Sequence, residues 1–171
     1  MTSWRERWQS RYGEAAWLFG REPNAYLRAL DTRLPRRGRA LCLGEGEGRN
    51  AVWLAARGLA VTAVDFAPIA LARARALAAE RGVAIETVEA DVARWQSPEA
   101  AFDIVTLLFL QLSPDERIPA HRAAMAAVNR LRQLAEVQVT PALTPLLGMI
   151  CQDHLLLVEA RVEQLQHRLA T

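Results

Sequence analysis

Between Arg39 and Leu112 the chain alternates short apolar runs with longer stretches of helical spacing. That rhythm predicts repeated βαβ units and therefore a parallel sheet. Four strands are expected, over residues 40–43, 60–64, 84–89 and 103–109. Each is rich in Val, Ile, Leu or Ala and apolar on both faces, as strands inside a parallel sheet must be. Helices are expected over residues 49–57 and 68–81, the second stopped by Gly82. Another is expected over 114–133, where Ser113 offers an N-cap and Pro114 takes the first helical position.

Ahead of this core, residues 4–12 and 23–30 read as two short helices joined by Trp17-Leu18-Phe19-Gly20, a segment placed to act as a lid. Beyond Gln133 the character changes. Thr140-Pro141 and Thr144-Pro145 mark a break, and residues 145–169 then read as one long helix. Its apolar residues Cys151, Leu155, Val158, Val162, Leu165 and Leu169 fall at alternating four- and three-residue steps, the spacing of a helix seam. The expected organisation is one α/β domain over residues 1–133, including a lid at 1–35, with 134–171 as a helical tail packed on the same domain. Such a tail would cover an open sheet edge or pair with a second copy, giving a homodimer.

Composition narrows the function. At 171 residues, 51% apolar and 23% charged, the chain can bury a core without disulfides or a structural metal. A formal charge of +2 suggests neither nucleic acid nor an anionic membrane as partner. All 21 basic residues are Arg, which excludes a lysine Schiff base and a P-loop lysine. Cys42 and Cys151 make no disulfide framework and no metal-ligand spacing, so a reducing cytoplasm is expected and no metal. The Arg-, Glu- and Trp-rich start has no apolar core and is not read as a secretory signal. No stretch approaches the roughly 20 apolar residues that cross a bilayer.

The most informative segment is Leu41-Cys42-Leu43-Gly44-Glu45-Gly46-Glu47-Gly48-Arg49-Asn50, which sets G-x-G-x-G between an expected strand and an expected helix. Glycines there permit positive φ and keep Cβ atoms out of a ligand's way. A nicotinamide fingerprint, G-x-G-x-x-G, fails at Arg49. Glu45 and Glu47 would repel a pyrophosphate, whereas the ammonium and sulfonium of S-adenosyl-L-methionine would favour nearby acids. Asp65 ends the second strand roughly 20 residues further on, the offset at which a carboxylate accepts ribose hydroxyls; an N-cap for the next helix is the competing reading. Asp91 follows the third strand, where it can accept from an adenine amino group while Val92 packs on the ring; a turn residue at the strand end is the competing reading. No Ser-His-Asp, Cys-His or metal pattern appears, and His121, His154 and His167 all fall on expected helices away from the strand ends. Catalytic residues are therefore not assigned; Gln111, ending the fourth strand, reads equally as a substrate-holding residue and as a simple polar strand end.

The segments Trp8-Gln9-Ser10-Arg11-Tyr12, Phe19-Gly20-Arg21-Glu22-Pro23-Asn24, Gly44 to Asn50, and Phe102-Asp103-Ile104-Val105 leading to Leu112-Ser113-Pro114 resemble class I S-adenosylmethionine-dependent methyltransferases. The likeness is closest to the small bacterial tellurite-resistance and thiopurine-type branch. It implies a Rossmann-like sheet of parallel strands flanked by helices, and a small-molecule acceptor such as a thiol, an oxyanion or a metabolite. It also implies cofactor contacts from Gly44, Glu45, Gly46, Gly48, Asn50, Asp65, Phe66, Asp91, Val92 and Phe19, with Tyr12 also at the lid. Two departures stand out. Cys42 occupies a position where many relatives carry an acid, and nothing after Leu134 looks like the family's terminal strands, so a helical tail is expected in their place. A truncated module that binds cofactor without catalysis is the alternative.

Overall fold

The computed structural model describes residues 4–14, 17–128 and 156–157. Its centre is a sheet in the order β3-β2-β1-β4-β5. The strands are β1 (Arg39–Leu43), β2 (Ala60–Asp65), β3 (Glu86–Glu89), β4 (Ile104–Leu107) and β5 (Leu156–Leu157). β1 pairs in parallel with both β2 and β4, β2 in parallel with β3, and β5 runs antiparallel to β4. The helices are α1 (Trp4–Glu14), α2 (Ala25–Ala29), α3 (Arg49–Ala55), α4 (Pro68–Glu80) and α5 (Pro114–Ala127).

The period of two along each strand divides the core into two layers. Ala40, Cys42, Val61, Ala63 and Ile104 face one side, where Leu27 of α2 and Ala51 and Leu54 of α3 cover them. Leu41, Leu43, Val64, Val105 and Leu107 face the other, against Ala120, Ala124 and Ala127 of α5. Alanine on α5 lets its backbone approach the sheet closely, so this helix presses small residues onto large strand side chains. The fold is thus the expected Rossmann-like three-layer α/β arrangement, and β1 and β4 are buried throughout apart from the first residue of β1.

Three expectations change. β3 is half-exposed, with Glu86 and Glu89 in solvent, because it is the sheet's edge and only one neighbour covers it. α5 ends at Ala127 instead of Gln133: Val128 is extended, buried, and bridged to Phe102, so tertiary burial of a β-branched residue stops the helix. The helix expected over 145–169 lies outside the described residues except at Leu156 and Leu157. Those two pair with Leu107 and Thr106 as a strand. They sit within Leu155-Leu156-Leu157-Val158, a short apolar run for which periodicity does not separate helix from buried strand.

Candidate cofactor cleft

β1 connects outward to β2 on one side, while β4 lies on its other side, so the strand order reverses between β1 and β4. Open α/β sheets hold ligands at the carboxyl ends of the strands beside such a reversal. A cleft lies there. Its floor is the loop after β1, with Asp65 and Phe66 from the end of β2, Asp91 and Val92 from beyond β3, and residues 108–112 from beyond β4. Trp8 and Tyr12 of α1, together with Phe19, close it from above.

Buried acids organise the loop. Glu45 takes the backbone N–H groups of Asn50 and Ala51 on one carboxylate oxygen, both at 2.8 Å. It therefore caps α3, whose own N-cap is Gly48 and has no side chain to offer. Burial nonetheless outweighs those donors and pushes its carboxyl up to about 7. Against it lies the buried thiol of Cys42, itself pushed well up by burial. Glu47 turns the other way. It accepts from the backbone N–H of Trp17 (3.0 Å) and Leu18 (2.6 Å) and from Arg73 of α4 (2.6 Å), which ties the lid segment to the loop.

Asp65 is 4% exposed and accepts from Gly46 N–H at 2.8 Å on one oxygen and Ala67 N–H at 2.9 Å on the other, with the Phe66 backbone as a further donor. Its burial raises its pKa above the usual carboxylate value. A carboxylate has about four acceptor sites, so capacity remains for a ligand hydroxyl. Asp65 is not the N-cap of α4, which is Ala67 without a side-chain cap; it holds the turn before that helix and lines the cleft. Asp91 pairs with Arg5 of α1, whose guanidinium also lies 5.8 Å from the Phe66 ring centroid.

The three loop glycines answer to three different neighbours. A Cβ on Gly44 would stand 2.5 Å from Leu110 Cδ1, one on Gly46 2.6 Å from the Tyr12 hydroxyl, and one on Gly48 2.6 Å from Ala74 Cβ. At each the φ is positive. Only Gly44 lines the cleft; Gly46 is beneath Tyr12, and Gly48 is where the loop crosses α4. Side chains of the protein itself, not open space, thus fill the position above each glycine. What remains is narrow: about 50 Å³ can hold the centre of a water molecule, against roughly 300–1,000 Å³ for small-molecule sites. Leu110 and Tyr12 meet the glycines with the far ends of their side chains, which rotamer changes can withdraw.

Aromatic rings and guanidinium groups form the outer wall. Phe19 stacks on Phe109 at 6.2 Å, and Arg49 lies 5.5 and 5.6 Å from those two ring centroids while donating to the Phe19 carbonyl at 2.9 Å. Trp8 bridges Phe19 and Tyr12 at 6.0 and 5.8 Å. Phe109, Leu110 and Arg49 escaped the sequence reading. Phe109 adopts φ +57°, a left-handed conformation that no motif announces in a Phe, and Arg49 registers in sequence only as a missing glycine. Of the residues named from sequence, Phe19, Gly44, Glu45, Asn50, Asp65, Phe66, Asp91 and Val92 gather at the cleft, whereas Gly46 and Gly48 do not line it. Asn50 also turns its side-chain oxygen to Asn24 N–H at 2.8 Å, joining α3 to the segment before α2.

Comparison with known proteins follows from this geometry. A Thermus thermophilus protein named demethylmenaquinone methyltransferase is 39% identical over 94 residues, 53% of this chain and 43% of the relative. A TehB-like S-adenosylmethionine-dependent methyltransferase from Corynebacterium glutamicum superposes with a TM-score of 0.54 at 24% identity, covering 74% of this chain and 65% of that one. A methyltransferase from Thiobacillus denitrificans, solved with S-adenosyl-L-homocysteine, gives 0.56 at 19% identity, covering 75% and 53%. The chain thus spans less than half the length of its curated relative, and the two solved structures speak for the fold alone. A methyltransferase-domain family model matches residues 40–132, more than half of the chain, from β1 to beyond α5. With the glycine loop and the strand ends that floor the cleft inside that span, this chain belongs to the methyltransferase-domain family.

Proposed function

We propose that the protein is an S-adenosylmethionine-dependent methyltransferase acting on a small molecule. The observation that carries this reading is the convergence of Asp65 and Asp91, from the ends of two neighbouring strands, on one cleft floored by Gly44 and Glu45. The residues fit the cofactor chemically: Asp65 has acceptor capacity for ribose hydroxyls, Asp91 for an adenine amino group, and Phe66 and Val92 offer apolar faces to the base. Glu45, when ionised, favours the cationic methionine end. When bound, the cofactor supplies an electrophilic methyl group, and the chain's work is to orient it and exclude water. Phe19, Trp8 and Tyr12 serve that exclusion. Binding requires Arg5, Tyr12 and Leu110 to give way.

The tellurite-resistance and thiopurine-type branch is the finer assignment we favour, on the motifs from Trp8 to Asn24 and at Leu112-Ser113-Pro114. We place the protein in the cytoplasm on its cysteine usage. Division at residue 133 into domain and tail is part of the same proposal. The test is calorimetric titration with S-adenosylmethionine and S-adenosylhomocysteine, followed by a product assay on a panel of thiols and oxyanions. Asp65→Ala is expected to weaken cofactor binding by about 1–3 kcal/mol, the cost of unpaired buried partners. Thermal midpoints of the apoproteins separate this loss from unfolding. Binding without product would favour the non-catalytic alternative, and no binding at all would refute both.

A further inference from the structure

Beside the cofactor cleft, and sharing Trp8, Gln111 and Leu112 with it, runs a second groove of about 460 Å³ whose other described lining residues are Arg7, Arg11 and Ser113. The two spaces differ in charge. The inner cleft holds three acids, Glu45, Asp65 and Asp91, whereas no acid is among the described residues lining the groove. Of the two acids that follow Ser113, Asp115 is exposed and outside the lining, and Glu116 directs its carboxylate to the Ser113 N–H (3.1 Å) and hydroxyl (2.7 Å) in a capping box. Arg117 adds a third guanidinium at this end, held to the Leu112 carbonyl at 3.4 Å.

The wall between groove and cleft alternates cation and ring. Arg11 lies 4.7 Å from the Trp8 ring centroid, Trp8 lies 6.0 Å from Phe19, and Arg49 follows over Phe19 and Phe109. Flat apolar surface interleaved with guanidinium groups suits a ligand that is itself flat and anionic, because Arg pairs with a carboxylate in bidentate fashion while a ring stacks on indole. We propose that this groove binds a small aromatic carboxylate, with its anionic group on Arg7 and Arg11 and its ring against Trp8, Gln111 lying between it and the cleft. That this ligand is the methyl acceptor rests on the function proposed above; that the groove binds it does not.

The experiment is calorimetry on the full chain with 2-naphthoate and, as the neutral isostere, 2-naphthamide. The carboxylate is expected to bind about tenfold or more tightly than the amide, and to weaken severalfold when salt rises from roughly 50 to 500 mM. Arg11→Gln and Arg7→Gln are each expected to cost about tenfold for the carboxylate and little for the amide. Both residues are exposed, and equal thermal midpoints identify folded variants. Equal affinity for carboxylate and amide, indifference of both variants, or no carboxylate binding at millimolar concentration would each overturn the proposal. Titration with S-adenosylhomocysteine is run separately: cofactor bound without naphthoate sinks this inference alone, and naphthoate bound without cofactor sinks the methyltransferase reading alone.

Discussion

Glu45 makes the folded protein a measurable proton binder near neutrality. The residue is 8% exposed and its carboxyl is raised from an ordinary 4.5 to about 7, with burial as the largest cause and the donors of Asn50 and Ala51 opposing it. In the unfolded chain the same group loses its proton near its ordinary value. Between the two values the native state binds the extra proton, so stability must fall as pH rises through that window. At about 1.36 kcal/mol per unit, a shift of roughly 2.5 units corresponds to about 3 kcal/mol, fully developed above the folded value and absent below the unfolded one.

Glu45→Gln isolates that contribution. A glutamine is neutral at every pH and keeps a carbonyl oxygen for the two α3 donors, so it imitates the protonated acid. Urea denaturation of both proteins at about pH 5 and about pH 8 should show the parent losing about 2.5 kcal/mol more than the variant across that interval, with equal m-values. Asp65 is also raised by burial and contributes a fall of the same sign, but it does so in both proteins and cancels in the difference. Parallel stability profiles for parent and variant would refute the reasoning, since they would mean that Glu45 ionises at its ordinary pH despite its burial.

Two further changes probe the scaffold under the cleft. Gly48→Ala would force a Cβ to within 2.6 Å of Ala74 Cβ and 2.7 Å of its Cα at φ +87°. Strain and overpacking together are expected to cost about 2–5 kcal/mol, read as a lower denaturation midpoint; an unchanged midpoint would mean that the loop does not cross α4 so closely. Leu27→Ala removes a fully buried side chain that seats α2 on the sheet, and should cost about 2–5 kcal/mol in the same assay. A loss under about 1 kcal/mol would show that α2 is not docked there.

The strands and helices of the core were legible because their signals are local. Each apolar run is bounded by glycine, proline or a capping residue, and α4 and α5 begin at Pro68 and Pro114 as the sequence indicates. What a window of residues does not contain is its neighbours in space. The exposure of β3 depends on where the sheet stops, and the end of α5 depends on Phe102 bridging Val128. Phe109 and Leu110 belong to the cleft only because β4 delivers them opposite the glycine loop, and nothing in their own segment marks them for it. Glu47 was legible as a loop acid, but its partners Trp17, Leu18 and Arg73 lie 26 to 30 residues away.

These contacts change what the glycine loop is for. Read as a sequence, it is a passive bend left bare for a ligand. In the fold, Glu45 fastens it to α3, Glu47 to the lid segment and α4, Gly46 to Asp65, and Gly48 lets α4 press against it. A joint with this many fixed partners does not open by bending, so on the proposed function room for a nucleoside would have to come from the groups that meet it end-on. Those are Leu110, Tyr12 and the Arg5 that occupies Asp91. Two of the three belong to α1, and Trp8, whose side chain lies between theirs along the helix, walls both the inner cleft and the Arg-lined groove. On the two proposals above, displacing α1 to admit a nucleoside would reshape the Arg-lined groove as well, because one helix face walls both spaces.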